Sequence, residues 1–246
     1  MKILFIGYDA RYKIVIDTLK IKNDVYTLGY EGNYNIGIGN LNNINDYDIV
    51  VLPMSGIKNG YASNVKVDIK IFDNYKGIIY TGIKKGLNGN VESFLDDKEI
   101  VLENTLITVD GIMNRIKNID KIIICILGYG NIGSKLYDRL ESDYKVVVGV
   151  KEDEVGFIKN SFSTSNKKDL EYFLISSDLI INTVPSNIID EDILNKITGY
   201  FLDIASYPYG INEKDRNKYK FKYDLYSSIP SKYAPLKAGK VLLKKF

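Results

Sequence analysis

Three glycines at fixed spacing, Gly128, Gly130 and Gly133, are the residues of this sequence best suited to a defined chemistry. They follow an apolar run that predicts a buried strand, and they open a segment with helical periodicity. In this setting the first glycine permits a tight turn, the second lets the backbone approach a pyrophosphate, and the third allows close packing of helix on strand. The N–H groups and dipole of the helix start would hold the anion. The turn therefore predicts a dinucleotide site, whose residues are Gly128, Tyr129, Gly130, Asn131, Ile132 and Gly133.

The end of the following strand, predicted over residues 145–150, bears on the choice of coenzyme. An acid at this position binds the ribose 2′-hydroxyl of NAD, whereas a cation suits the 2′-phosphate of NADP. Lys151 stands at the tip and favours NADP. Glu152 and Asp153 follow directly, and they equally fit acids in the first turn of a helix. The sequence leaves NADP and NAD both open.

Two further strands are predicted at residues 179–182 and 200–203, and each ends in polar residues. Ligands of open α/β sheets bind outside the carboxyl ends of the strands. Thr183 and Pro185 after the first strand are expected to brace the nicotinamide, although an ordinary strand-to-helix turn would look the same. After the second strand, Ser206 is a candidate substrate ligand, and Asp203 is compatible with a simple turn residue.

The first half of the chain offers groups for a carboxylate rather than a second dinucleotide. The turn after the first strand, at residues 7–11, lacks the three-glycine pattern. Arg11 in that turn can bind a carboxylate through two parallel hydrogen bonds, although a surface arginine near a helix start would look the same. Ser55 and Thr81 also follow predicted strands, and their hydroxyls suit the same ligand, as would plain turns.

The complete absence of histidine restricts the chemistry. The histidine–acid pair of many hydroxy-acid dehydrogenases cannot operate here, so proton transfer must use Asp, Glu, Lys, Tyr or water. Asp110 and Lys237 are the candidates, with an exposed structural role as the alternative for each. Since Cys125 is the single cysteine, neither an internal disulfide nor a dedicated metal site is expected.

The elements that must position these residues follow a strand–helix alternation. Apolar runs ending in glycine or proline predict strands at residues 2–7, 24–28, 49–52 and 77–80 in the first half. Residues 33–45, rich in Asn and Gly, predict a loop, and residues 61–72 fit either a strand or irregular structure. Helical spacing predicts a helix near residues 10–21 and another near 104–118.

The predicted fold class is α/β, with two doubly wound, Rossmann-like domains and a C-terminal helix that packs back on the first. Residues 1–103 form the first, substrate-side domain and residues 104–119 the linking helix. Residues 120–230 form the dinucleotide-binding domain. Pro235 fits the first turn of a final helix within residues 231–246.

Composition narrows the partners. With a net charge of +2 and interspersed signs, the chain lacks the basic face that nucleic-acid binding needs. The apolar start breaks at Asp9 and Arg11, too early for a signal peptide, and no apolar run approaches the roughly 18 residues that span a bilayer. We expect a cytoplasmic protein without a membrane partner.

Several segments, taken in order from the first strand to the last helix, resemble the family of dipicolinate synthase A subunits. They are FIGYDAR at residues 5–11, LPMS at 52–55, TLITVDG at 105–111, LGYGNIG at 127–133, INTVPS at 181–186, LDIAS at 202–206 and APLKAG at 234–239. The glycine segment is shared with many dehydrogenases, whereas the first and last segments are more specific. The loop around Tyr209 and residues 59–73 depart from the family pattern.

The resemblance implies a role in making dipicolinate, the pyridine dicarboxylate of bacterial endospores, in the mother-cell cytoplasm during sporulation. In that family a 4-hydroxy-tetrahydrodipicolinate loses water and is oxidised to the aromatic ring, with NAD(P)⁺ taking the hydride. The family requires a second, flavoprotein-like B subunit. A small dicarboxylate substrate would give Arg11, Ser55, Thr81 and Lys237 a ligand. The competing hypotheses are a nucleotide-binding assembly subunit, or a shikimate- or 2-hydroxy-acid-type dehydrogenase.

Overall fold

The computed structural model describes residues 1–31 and 41–246. The chain divides into two compact units, one formed by Met1–Ile107 with Pro230–Phe246 and the other by Thr108–Ile229. Both are α/β units built on parallel sheets, so the predicted fold class is confirmed. Most of the loop predicted for residues 33–45 lies outside the described residues.

The first unit contains a five-stranded parallel sheet. Its strands are β1 (Lys2–Ile6), β2 (Asp24–Leu28), β3 (Ile49–Val51), β7 (Ile78–Thr81) and β8 (Val91–Ser93). The sheet order is β2-β1-β3-β7-β8. Counting those five strands alone, the order is 2-1-3-4-5, which is one of the two common doubly wound arrangements. Strands β1 and β3 in the middle of the sheet are apolar and largely buried, as is typical of parallel sheets covered on both faces.

A small antiparallel sheet interrupts this unit at residues for which the sequence permitted no clear prediction. It consists of β4 (Ile57–Lys58), β5 (Tyr61–Ala62) and β6 (Val65–Lys66), and a short 3₁₀ turn at Ile69–Phe72 follows. Gly60 lies at the tip of the hairpin between β4 and β5, with a φ of +76°. Two-residue strands are too short to show an alternating pattern, which explains why periodicity did not reveal them.

Two helices from opposite ends of the chain pack together in the first unit: α1 (Tyr12–Leu19) and α7 (Pro235–Leu242). Pro235 stands in the first turn of α7, where its missing N–H costs no hydrogen bond. The last predicted helix is broken into pieces, since α6 (Ile229–Tyr233) precedes α7 and a 3₁₀ turn follows it. The break falls at Ala234, whose φ of −143° is not helical, because the residue before a proline avoids the helical region.

The long helix α2 (Lys98–Ile116) contains the boundary between the two units. It begins six residues before the predicted start at residue 104, which corrects the sequence prediction. The cause is the carboxylate of Asp97, which accepts hydrogen bonds from the backbone N–H groups of Glu99 (3.0 Å) and Ile100 (3.2 Å). Asp97 thus caps N–H groups that have no partner within the helix.

The second unit contains a six-stranded parallel sheet. Its strands are β9 (Ile123–Leu127), β10 (Lys145–Val150), β11 (Ser161–Ser163), β12 (Leu179–Asn182), β13 (Tyr200–Asp203) and β14 (Tyr223–Leu225). The sheet order is β11-β10-β9-β12-β13-β14. Numbered within the unit, this is 3-2-1-4-5-6, the order of dinucleotide-binding domains. The strand order reverses between β9 and β12.

Helices α3 (Asn131–Leu140), α4 (Lys167–Ile175) and α5 (Glu191–Leu194) connect these strands. The sequence did not predict β11 and α4. The three residues of β11 include two serines, and α4 has a mostly polar sequence with only Leu170 and Leu174 fully buried. No helix in residues 1–31 and 41–246 combines the length and the apolar character that crossing a membrane requires.

Candidate functional site

The turn between β9 and α3 shows the steric demands that its glycines satisfy. Gly128 has a φ of +93°, in the left-handed region that favours glycine. A Cβ on Gly133 would lie 2.1 Å from the carbonyl oxygen of Gly128, so any side chain there would push helix α3 away from the turn. These two glycines therefore hold the helix close to the carboxyl end of β9.

Gly130 differs from its neighbours because its surroundings are open. A Cβ at this position would meet no atom of the described part of the chain within 4 Å. Gly130 is the N-cap of α3, and its carbonyl oxygen accepts the first helical hydrogen bond from the N–H of Ser134 at 2.9 Å. The N–H groups of the first helical turn, from Asn131 to Gly133, have no partner within a helix. The turn thus combines space with N–H groups at the positive end of a helix, which suits a diphosphate.

The point where the strand order reverses is closed by Thr183, which follows β12. Its hydroxyl donates a hydrogen bond of 2.8 Å to the carbonyl oxygen of Leu127, and its backbone N–H binds the same oxygen at 3.0 Å. A Cβ on Gly128 would lie 2.5 Å from the Thr183 hydroxyl oxygen. Thr183 therefore lies directly beside the glycine turn, at the position where dinucleotides bind in this strand order. Pro185, two residues later, is exposed.

Two of the remaining residues of the predicted turn pack against the core, and the third is exposed. Tyr129 and Ile132 are half-buried against the core of the second unit. The ring of Tyr129 lies edge-on to that of Tyr137, with 6.0 Å between centroids. Asn131 is exposed at the first position of α3.

Lys151 follows β10 and is exposed. Its backbone N–H donates to the Glu154 carboxylate at 3.2 Å, so this acid is occupied in closing a 3₁₀ turn at Glu152–Glu154. Glu152 and Asp153 are exposed in the same turn. The structure thus places a cation and two acids at the end of β10, an arrangement compatible with either nucleotide.

Polar side chains that the sequence analysis did not include among the site residues lie at the ends of β12 and β13. Asn182 and Asp203 are the last residues of these strands, and both are buried. The side-chain amide of Asn182 donates to the Asp203 carboxylate at 3.0 Å. A polar residue closing an otherwise apolar buried strand was the available signal, because a buried polar group must have a partner. Ser206, three residues after Asp203, is exposed.

In the first unit, Arg11 is mostly buried, which excludes the alternative of a plain surface arginine. Its guanidinium forms two hydrogen bonds with the carboxylate of Asp9, at 2.8 Å from Nε and 2.5 Å from Nη2. The exposed fractions of the two side chains are 13% and 7%. Arg11 is therefore already paired within the chain, and substrate binding by its remaining N–H groups stays a prediction.

The two hydroxyl residues predicted in the first unit differ in accessibility. Ser55 is exposed in the turn after β3. Thr81 is fully buried at the end of β7, where its hydroxyl oxygen lies 3.2 Å from the carbonyl oxygen of Pro53. In this arrangement Thr81 ties the ends of β3 and β7 together. Its predicted role as a substrate ligand would require that hydroxyl to exchange its partner.

The turn after β1 is covered, in contrast to the turn after β9. Gly7 has a φ of +81°, and a Cβ on it would lie 2.1 Å from the carbonyl oxygen of Ala62 in β5. The backbone N–H of Tyr8 donates to the side chain of Asn64 at 2.9 Å. The small antiparallel sheet therefore occupies the space that a diphosphate would need, in keeping with the lack of a glycine pattern there.

The two candidate proton-transfer residues belong to different units. Asp110 lies on the half of α2 that belongs to the second unit, and its carboxylate is 3.6 Å from the guanidinium of Arg139 on α3. Lys237 is exposed on α7 in the first unit. Both roles stay predictions.

Comparison with known proteins finds a relative that matches nearly the whole chain. The A subunit of dipicolinate synthase from Bacillus subtilis (strain 168) is 26% identical over 276 residues, which cover 98% of this chain and 93% of the relative. The resemblance predicted from the sequence motifs is thereby confirmed. No family model matches the chain.

Solved structures agree with this likeness. The crystal structure of the dipicolinate synthase A subunit from Bacillus halodurans has a TM-score of 0.79 at 22% identity and covers 99% of this chain and 95% of its own. The Bacillus subtilis structure has a TM-score of 0.76 at 25% identity, covering 100% and 94%. NAD-dependent formate dehydrogenase from Staphylococcus aureus, solved in complex with NAD, has a TM-score of 0.58 at 14% identity, covering 99% and 92%. The last of these shares the fold.

Proposed function

We propose that this chain is an NAD(P)-dependent oxidoreductase that serves as the A subunit of a dipicolinate synthase. The observation that carries the proposal is the open glycine turn at Gly130, which lies where the strand order reverses and beside Thr183. The likeness to the dipicolinate synthase A subunit over 98% of the chain supports the specific activity. The fold shared with a dehydrogenase solved in complex with NAD supports the coenzyme.

The residues of the second unit fit a nicotinamide coenzyme. The N–H groups from Asn131 to Gly133 would bind the diphosphate. The ribose next to the adenine would lie near Lys151, while Thr183 and Pro185 would face the nicotinamide half. When bound, the coenzyme would supply a hydride acceptor. NAD and NADP both belong to the proposal, because the exposed end of β10 carries charges of both signs.

The proposed substrate is a small dicarboxylate, 4-hydroxy-tetrahydrodipicolinate. Loss of its hydroxyl with a neighbouring ring proton gives water and a dihydropyridine, and loss of a hydride and a second proton then gives aromatic dipicolinate. Because aromatisation favours the oxidation, the protein needs mainly to orient the ring and remove protons. Asp110 or Lys237 is proposed as the proton acceptor. The side chains proposed to bind the substrate are those of Arg11, Ser55, Thr81 and Ser206.

A second, flavoprotein-like B subunit is part of the proposal, as are the cytoplasm of the mother cell and the period of endospore formation. The relatives from both Bacillus species are themselves A subunits, which supports an assembly with another chain. The absence of histidine disfavours a 2-hydroxy-acid dehydrogenase that relies on a histidine–acid pair.

The test is an assay of nicotinamide absorbance with 4-hydroxy-tetrahydrodipicolinate, using this chain alone, the B subunit from the same genome alone, and the two mixed. Formation of dipicolinate with stoichiometric reduction of NAD(P)⁺ by this chain, alone or in the mixture, supports the proposal. If the mixture forms dipicolinate without any reduction of NAD(P)⁺, this chain does not transfer the hydride. If 2-hydroxy acids are oxidised instead, the dehydrogenase alternative replaces it.

A further inference from the structure

The carboxylate of Asp203 is completely buried at the carboxyl end of β13 and has four hydrogen-bond donors. Oδ1 accepts from the side-chain amide of Asn182 at 3.0 Å and from the N–H of Ala205 at 3.2 Å. Oδ2 accepts from the N–H of Gly210 at 2.8 Å and from the hydroxyl of Tyr223 at 2.8 Å. A buried carboxylate needs this many donors to offset the loss of water.

These donors come from three different segments, so one side chain fixes the relative positions of all three. Asn182 ends β12, Tyr223 begins β14, and Ala205 and Gly210 bracket the loop that follows β13. The loop approaches Asn182 closely, since a Cβ on Gly210 would lie 2.3 Å from the Asn182 amide nitrogen. Asp203 therefore links the carboxyl ends of β12 and β13 to the loop after β13 and to β14.

Asn182 extends the arrangement to the segment next to the glycine turn. Its side-chain oxygen accepts from the backbone N–H of Val184 at 3.1 Å, and its amide nitrogen donates to the Val184 carbonyl oxygen, also at 3.1 Å. Val184 stands between Thr183 and Pro185, the pair predicted to brace the nicotinamide. A displacement of Asp203 would therefore move Asn182 and, through it, Val184 and the adjacent Thr183. Thr183 in turn lies beside Gly128.

The guanidinium of Arg216 lies over the rings of Tyr223 and Tyr209. The guanidinium carbon lies 5.6 Å from the centre of the Tyr223 ring and 4.9 Å from that of Tyr209. Burial, followed by the hydrogen bond to Asp203, raises the pKa of Tyr223 above its ordinary value. A tyrosine hydroxyl, with an ordinary pKa of about 10, is already protonated at neutral pH, so that of Tyr223 can donate to Asp203.

We infer that Asp203, with Tyr223 and Asn182, is the positioning centre for the nicotinamide half of the coenzyme. The inference rests on the proposed function. With the diphosphate at the turn after β9, the adenosine half extends towards β10, as the ribose rule places it. The other half must then extend towards β12 and β13, where the Asp203 hydrogen bonds fix the loops.

The test compares two ligands on a variant that loses one hydroxyl. Tyr223→Phe removes a donor to Asp203 but keeps the ring, whose centroid lies 5.8 Å from that of Phe201. NADH and ADP-ribose, which lacks only the nicotinamide ring, are titrated separately by calorimetry. A buried acceptor short of a donor loosens the edge, so NADH should bind about tenfold more weakly. ADP-ribose, held by the turn at Gly130, should change less than about twofold.

Tyr200→Phe is the matched control. Tyr200 begins β13, and its hydroxyl donates to the carboxylate of Asp224 on β14 at 2.7 Å. The control therefore removes a tyrosine-to-aspartate hydrogen bond between the same two strands, but from the residue at the amino end of β13. Affinities for both ligands should remain at the wild-type values.

The outcomes separate the inference from the proposed function. If the wild type binds both ligands but Tyr223→Phe leaves NADH affinity unchanged, or weakens both ligands equally, Asp203 has only a structural role and the inference fails alone. If the wild type binds neither ligand, the proposed function fails with it. Should Tyr223→Phe be too unstable to titrate, Asn182→Ala removes a different donor to the Asp203 carboxylate and must show the same selective loss of NADH affinity.

Discussion

Gly239 of α7 lies directly against the backbone of Arg11 at the start of α1. A Cβ on Gly239 would lie 2.2 Å from the Arg11 carbonyl oxygen and 2.3 Å from the Ile14 side chain. The two most specific segments of the resemblance, residues 5–11 and 234–239, therefore meet within the first unit. Their sequences depend on one another because the two helices can approach this closely only if one of them carries glycine at the contact.

Replacing Gly239 with alanine should destabilise the protein by about 1–3 kcal/mol, because the added methyl group must push α7 away from α1. Alanine is intrinsically the better helix former by about 1 kcal/mol, so a net loss of stability can only come from the clash. Denaturant unfolding gives the free energy. Lys240→Ala, on an exposed position of the same helix, is the control and should change it by less than about 0.5 kcal/mol. An unchanged or raised stability in Gly239→Ala would refute the close contact.

The contribution of Arg11 to stability, through its pair with Asp9, should be separable from its contribution to substrate binding. Arg11→Ala should raise the substrate KM and cost about 1–3 kcal/mol of stability, because it leaves the buried Asp9 carboxylate without its two-hydrogen-bond partner. Coenzyme affinity should not change. The double variant Asp9→Asn with Arg11→Met removes the unpaired charge and should recover most of the stability.

The substrate KM of the double variant decides the role of Arg11. If Arg11 binds the substrate, the KM should stay high although the fold is restored. A KM that returns to the wild-type value together with the stability would show that Arg11 acts only through its pair with Asp9.

Asp178 should stabilise the second unit in a pH-dependent way. Its carboxylate accepts hydrogen bonds from the backbone N–H groups of Ile123 (2.9 Å) and Ile122 (2.8 Å). These two hydrogen bonds lower the pKa of Asp178. Because the folded pKa is lowered, the stabilisation is present above the unfolded pKa of about 3.9 and is lost as the pH falls through the folded value. Asp178 is exposed, so solvent screening limits the effect to about 0.5–1 kcal/mol.

Urea unfolding of Asp178→Asn at several pH values checks this. The variant should be less stable than the wild type at neutral pH, and the difference should shrink as the pH falls below about 3.9. Asp138→Asn removes an exposed ion pair with Lys135 and should cost less than about 0.5 kcal/mol at neutral pH. A difference for Asp178→Asn that persists unchanged into acid would contradict an electrostatic origin.

Gly130 allows the charge at the glycine turn to be tested apart from its shape. Gly130→Asp places a carboxylate where the diphosphate should bind, whereas Gly130→Asn has nearly the same size without the charge. Both residues are good N-caps, so both variants should fold at least as stably as the wild type. The aspartate should weaken NADH binding by more than about a hundredfold and the asparagine by about tenfold or less. Equal losses of NADH affinity in the two variants would contradict binding of the diphosphate at this turn.

The sequence predicted the parts of the structure that depend on local rules. The turn at Gly128 requires a residue with a positive φ, which glycine adopts readily, so the glycine pattern predicted the turn. The strands of a parallel sheet are apolar runs, so hydrophobicity along the sequence predicted β9. The start of α2 was missed because the cap, Asp97, precedes six residues that lack a clear apolar period.

The hydrogen bonds of Asp203 could not be predicted, because they depend on which strands become neighbours. Tyr223 reaches Asp203 only through the pairing of β13 with β14, and Asn182 reaches it through the pairing with β12. Neither pairing is encoded in local spacing. The burial of Thr81 and the pairing of Arg11 with Asp9 likewise follow from packing. Sequence alone therefore cannot distinguish polar residues at strand ends that bind a ligand from those that hold the structure together.

Binding of the diphosphate of a nicotinamide coenzyme by the backbone of residues 128–133 is the central claim. Calorimetric titration of the purified wild-type chain with NADH and with NADPH, both without and with its partner protein, tests this most directly. We predict saturable binding of at least one of the two coenzymes at a single site per chain. The absence of saturable binding of either coenzyme under both conditions would contradict the claim.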